Sequence, residues 1–292
     1  MSADRATLVA LSHVWVAARD PLTCARFAED IVGLQRSEET ADPIALRADD
    51  RSRALVFSRG GESRLAVEAW DDAALDDIQS RLSEAGFPAR RASADECRAR
   101  RIQSGLLARD ATGNAIEIVT RPERSGRRFF GARDAGLKGL SDVGLRSTDV
   151  IGDLRFWRSL GAEVSDYVGE IAYLAIDDAH HRIALYPSTS KGPLYLAFEV
   201  ATLDDLMRAN YFLAERQIKI VQGPGRQPAS EQVFLHFQGP EGLNYTYVTG
   251  MAKRDHSRPP RQFPSVAESL CAWGSRADGA PELSPANQGA EP

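Results

Sequence analysis

One strand–helix–strand pattern recurs four times in this chain, and that repetition limits the possible folds more than any other feature. LSHVWVAARDPLTCARFAEDIVGLQ opens as an alternating strand and continues, after a turn, into an amphipathic helix ending at Gly33. LSDVGLRSTDVIGDLRFWRSLGAEV has the same shape, with Gly161 closing its helix. LAVEAWDDAALDDIQSRLSEAGFPARR parallels LAFEVATLDDLMRANYFLAERQIKIVQ. Each places Asp before its helix, where a carboxylate caps free N–H groups and suits the helix dipole. DATGNAIEIVTRP and GPEGLNYTYVTG each supply a glycine turn and a closing strand. The pattern predicts four βαβββ units, at about 10–60, 62–121, 140–190 and 194–249. The expected architecture is α+β, with two domains of paired units at 8–121 and 139–250 and an Arg- and Gly-rich linker at 122–138. Each pair should close into a cupped sheet with one mouth.

The flanking chain reads differently. RDHSRPPRQFPSVAESLCAWGSR carries three prolines before a short helical turn, and Phe263, Leu270 and Trp273 suggest an extension (251–275) that packs back on a domain. The Pro, Gly, Ala and Asn content of 276–292 reads as a disordered tail. A net charge of -5 argues against a general nucleic-acid surface, and RPERSGRR is read as a solvated linker. No apolar run approaches the roughly 18 residues that a membrane span needs. LVALSHVWVAARD is too polar for a signal-peptide core. Cys24, Cys97 and Cys271 form no CxxC and fit free thiols in a cytoplasmic protein.

Paired βαβββ units with GLSDVGLRSTDV, DDAHHRIALYP, YLAFEVATLDDL and GPEGLNYTYVTG resemble the vicinal oxygen chelate (glyoxalase-like) superfamily, and within it the type I extradiol ring-cleavage dioxygenases of the 2,3-dihydroxybiphenyl 1,2-dioxygenase kind. The likeness covers about residues 8–275. It implies a C-terminal cup holding ferrous iron on two His and one carboxylate, with open positions for catechol and dioxygen. At the three positions that match those ligands, this chain carries Asp142, Tyr195 and Thr246. The resemblance also implies a His in the loop before the last hairpin and a substrate-binding Tyr, at positions that match Gln227 and His236. Its acid–base His matches His181. The expectation is a cup without the family's iron and without another cofactor. A homo-oligomer is implied as well.

Weighed as residues, His181 is a general acid–base candidate, since imidazole titrates near neutrality. Strand alternation would turn His180 to the opposite face, as a surface or structural residue. His236 shares a face with Phe234 and is either a second acid–base group or a satisfied core histidine. Asp142 sits in an apolar strand, where a buried carboxylate needs partners, and Tyr195 and Asp142 are placed to orient a substrate or an imidazole. Tyr195, Phe198, Phe234 and Tyr247 are expected to line the cup and to suit a small flat aromatic molecule. Asp142, His181 and His236 are also a legitimate metal-ligand set in kind. In the N-terminal half, His13 and Glu117 match the first and third ligand positions with Arg64 between them, which reads as a buried ion-pair cluster or an anion pocket. The leading expectation is a metal-independent acid–base enzyme acting on an aromatic or ring-fission compound. The alternatives are a non-catalytic aromatic-binding or partner-stabilising homologue, and an extradiol dioxygenase with an unusual site.

Overall fold

The computed structural model describes residues 7–37, 41–275, 277–278 and 281–283. The first unit comprises β1 (Leu8–Ala18), α1 (Pro21–Phe27), β2 (Gln35–Arg36), β3 (Ile44–Arg47) and β4 (Leu55–Arg59). The second runs through β5 (Arg64–Ala69), α2 (Asp72–Glu84), β6 (Ala89–Arg91), a short α3 (Ala94–Arg100), β7 (Ser104–Arg109) and β8 (Ala115–Thr120). The third has β9 (Leu137–Ser147), α4 (Val150–Leu160), β10 (Glu163–Val168), β11 (Ile171–Ala175) and β12 (Ile183–Pro187). The fourth has β13 (Gly192–Val200), α5 (Leu203–Glu215), β14 (Ile220–Arg226), β15 (Val233–Gln238) and β16 (Asn244–Thr249). The βαβββ order thus appears four times, with α3 as the one added element.

The units meet through their opening strands. In the N-terminal sheet, order β2-β3-β4-β1-β5-β8-β7-β6, β1 and β5 run antiparallel at the centre. In the C-terminal sheet β13 and β9 do the same. The fold is α+β with two mixed sheets, as the repeats predict. One face of each sheet packs against its helices and the neighbouring domain in one continuous core that includes Val14, Leu65, Ile116, Val143, Leu196, Phe237 and Tyr245. The opposite face of each sheet is its cup. Among the described residues no helix is long and apolar enough to cross a membrane.

Local chemistry sets the helix starts. Asp71 caps α2 through the Ala74 N–H, and Asp149 caps α4 through Gly152. In α5 the expected Asp cap is corrected: Thr202 caps, and Asp205 at the third helical position answers it in a reciprocal box.

The chain end is also corrected. β17 (Arg261–Phe263) adds to the sheet edge beside β10, and α6 (Ala267–Leu270) seats Leu270 on the C-terminal cup. Trp273, expected to pack, is 49% exposed. Residues 277, 278 and 281–283 are not a disordered tail, because Leu283 is buried in the cup's apolar cluster. Glu282 accepts from Arg146 and Ser188 there. One apolar anchor outweighs a composition averaged over the whole segment. The rest of 276–292 lies outside the described residues.

Candidate functional site

Strand register builds the C-terminal cup in two rows. Asp142, Ala197, Thr246 and His236 lie side by side across β9, β13, β16 and β15. The next row is Gly144, Tyr195, Asn244 and Gln238. Alternate residues share a face, so Asp142, Tyr195, Thr246 and His236 all point into the cup. Gly144 is required here, since any Cβ would collide with the Tyr195 ring lying over it. That ring stands 5.2 Å from His236 and 5.9 Å from Tyr186 between centroids. The expected lining by Phe198 and Tyr247 is corrected by the same parity. Both sit in the core on the far face, and the Tyr247 hydroxyl meets the Ile31 and Val32 carbonyls and accepts from Arg133.

His180 and His181 precede β12, so strand alternation does not separate them. Their rings stand edge to face, with the two Nδ1 atoms 3.1 Å apart. His180 Nε2 lies 2.8 Å from Asp166 Oδ2, and Asp166 also accepts from Arg258, Arg261 and the Arg261 backbone N–H. Burial alone would raise the Asp166 carboxyl, but the bonds from Arg261, Arg258 and His180 outweigh it and hold it below the usual carboxylate range. Burial, with His181 alongside, pushes His180 down to about 4 despite Asp166.

These bonds fix protons. An ionised Asp166 only accepts, so His180 Nε2 carries hydrogen. A neutral His180 then offers a lone pair at Nδ1, and His181 Nδ1–H must donate to it. A neutral His181 would aim its Nε2 lone pair at the carboxylate of Asp142, 3.5 Å away. Both residues are wholly buried, and His181 Nε2 and both Asp142 oxygens have no hydrogen-bond partner among the described residues. Two buried acceptors facing each other are unfavourable, and one proton between them would satisfy both.

Around the pair stand three phenols. Burial first, then Tyr186 nearby, raises Tyr173 and Tyr195 well above the ordinary tyrosine value, and burial raises Tyr186 to about 12 against its contacts with Tyr173 and Tyr195. All three therefore remain O–H groups. Gln227 donates to the Tyr173 hydroxyl at 2.9 Å. His236 Nδ1 lies 2.6 Å from the Thr246 hydroxyl and is pushed down to about 4 by burial, against a nearby Asp142. Phe234, Leu270 and Leu283 close over this polar centre. Iron of the kind the resemblance implies would need two imidazoles and a carboxylate converging on one point. Among the described residues, no three His, Cys, Asp or Glu side chains do so.

The N-terminal cup repeats the two rows with different residues. His13, Ala66, Glu117 and Leu107 form one, and Trp15, Arg64, Ala115 and Arg109 the other. The ion pair there is between Glu117 and arginines, at 2.9 Å from Arg100 and 3.2 Å from Arg64, and not with His13. Burial, then Arg53 and Arg64, pushes His13 down to about 3, so it stays neutral. Arg100 arrives on α3, an element the repeat pattern does not announce. The Ser93-x-x-Glu96 capping box before it is its only sequence signal.

Two such cups on paired βαβββ sheets define a two-domain vicinal oxygen chelate fold. Residues 139–246 match the family described as the Glyoxalase/Bleomycin resistance protein/Dioxygenase superfamily. The chain is 26% identical over 290 residues to an iron-dependent extradiol dioxygenase of Rhodococcus jostii (strain RHA1), covering 90% of this chain and 95% of the relative. It is 26% identical over 278 residues to a 1,2-dihydroxynaphthalene dioxygenase of Sphingobium xenophagum, covering 87% and 90%. Among solved structures, a halotolerant catechol dioxygenase superposes with a TM-score of 0.85 at 18% identity, over 96% of this chain and 97% of that one. A Mn(II)-bound glyoxalase from Novosphingobium aromaticivorans superposes at 0.83 with 21% identity, over 96% and 94%. This chain therefore has extradiol dioxygenase relatives at low identity, on a fold that carries more than one chemistry.

Proposed function

We propose that this chain serves aromatic-compound metabolism through metal-independent acid–base chemistry, on a phenolic, catecholic or ring-fission compound held in the C-terminal cup. The family's iron triad is replaced in this reading. Asp142, Tyr195 and Thr246 offer one carboxylate, one protonated phenol and one hydroxyl already bonded to His236, which do not fit ferrous iron on two imidazoles. The observation that carries the proposal is the buried Asp142–His181 pair, 3.5 Å apart, with the His180–Asp166 contact behind it. His181 exchanges that proton with a substrate oxygen or carbon. Asp142 and Tyr195 orient the substrate, and Thr246 and Gln227 keep His236 and Tyr173 in place. Positioned proton transfer of this kind contributes on the order of 10²–10⁴ in rate.

The packing of Phe234, Leu270 and Leu283 over the cup favours a second reading, a protein that binds a small aromatic and returns it unchanged. Chelated protein, screened against catechols, ring-fission products and phenolic acids, separates the readings. The proposal expects turnover that survives chelation and falls by at least about 10² in His181→Ala. Turnover that needs added ferrous iron and dioxygen would restore the dioxygenase reading. Saturable binding without product would establish the second.

A further inference from the structure

An accessible cleft lies in the other domain. A cleft of about 620 Å³ opens over the N-terminal cup, and its lining includes Arg64, Arg90, Arg100 and Arg109 against Glu62, Glu96 and Glu117. It occupies the place in its own domain that the Asp142–Tyr195–Thr246 cup occupies in the other, as the matching rows require. In the C-terminal cup, Leu270 and Leu283 of the chain end join Tyr195 and Phe234 in one apolar cluster, whereas charged side chains line the N-terminal cleft.

Three features of the cleft point to one kind of ligand. The lining has four guanidinium groups and three carboxylates. Two of the pairs, Arg90–Glu96 and Arg109–Glu62, stand at the exposed rim, where exchanging a partner costs little. Deeper in, Glu117 Oε1 serves both Arg100 and Arg64, and Arg64 Nε stands 3.2 Å from it without hydrogen-bond geometry. The Arg64 guanidinium is fixed by its position 4.2 Å from the Trp15 ring centroid. Glu117 Oε2 and His13 Nε2, both buried and 4.0 Å apart, are likewise unpartnered among the described residues. Finally, Pro88 and Leu107 give the walls apolar area.

We infer that this cleft is a binding site for a small organic carboxylate, its anionic end on Arg64 and its apolar body against Leu107 and Pro88. A carboxylate matches the planar guanidinium fork, and an apolar body gains from leaving water. The site stands apart from the C-terminal cup, so either proposal can fail alone.

The test is an NMR titration of the full-length chain with benzoate, its neutral isostere benzamide, and inorganic phosphate. Benzoate should bind saturably and shift the Trp15 indole and His13 signals. Benzamide should bind at least about tenfold more weakly, and Arg64→Met should weaken benzoate by a similar factor. The benzamide comparison uses the unaltered chain, so it stands even if Arg64→Met does not fold. Equal binding of benzamide, equal competition by phosphate, shifts confined to the C-terminal cup, or no saturation at millimolar benzoate would each overturn the site.

Discussion

Asp142→Asn separates a structural role for the buried pair from a chemical one. The amide donates to His181 Nε2 without needing the shared proton, so unfolding free energy should stay level or rise by up to about 2 kcal/mol. Turnover on the aromatic substrate should disappear, because no proton is left to share. Urea unfolding with activity on the same sample checks both, and a loss of about 3 kcal/mol or more would mean the carboxylate is satisfied in the fold. Much of this residue-scale arrangement was legible in the sequence. Asp142, Tyr195, Thr246 and His236 share the cup because strand parity is readable from numbering alone. Phe198 and Tyr247 were misplaced by one step of the same parity. The His180–His181 contact was not legible, since two residues outside a strand obey no alternation, and Asp166 and Arg261 reach them from β10 and β17 only through tertiary pairing.

At the scale of elements, the four repeats were visible because each carries a strand period and then a helix period, with a glycine stop at Gly33, Gly86 and Gly161 in the first three. The departures are short pieces with little periodicity, α3 and the anchor at Leu283. α3 is seven residues long and rests on its cap, where Ser93 accepts from the Glu96 N–H and Glu96 returns the bond to the Ser93 N–H. Isolated helices of this length are marginal, so Ser93→Ala should cost about 1 kcal/mol in unfolding free energy. It should also raise hydrogen exchange through Ala94–Arg100, the segment that delivers Arg100 to Glu117. Unchanged exchange there would show that packing of Cys97, not the cap, holds the helix.

For the whole molecule, buried imidazoles set the response to acid. His180 and His236 are pushed down to about 4 and His13 to about 3, each chiefly by burial. The unfolded chain takes up these three protons as the pH falls below about 6.5, while the folded chain resists until near 4. The stability they contribute is thus fully present above pH 6.5 and is lost toward pH 4. Asp110 acts in the opposite sense. Burial, with Asp153 nearby, raises it to about 7, so its contribution is largest below about 3.8 and is lost as the pH rises through 7. Three protons outweigh one, and unfolding free energy should climb by roughly 1.4 kcal/mol or more per pH unit between pH 4.5 and 6. A flat or falling profile in denaturant titrations across that range would contradict the buried neutral imidazoles.

The most direct measurement is an anaerobic titration of ferrous iron into the purified chain, followed by oxygen uptake with a catechol. A cup built around a shared proton should retain no stoichiometric iron after desalting and should consume no oxygen. One iron held per chain, lost in Asp142→Asn and coupled to oxygen uptake, would contradict it.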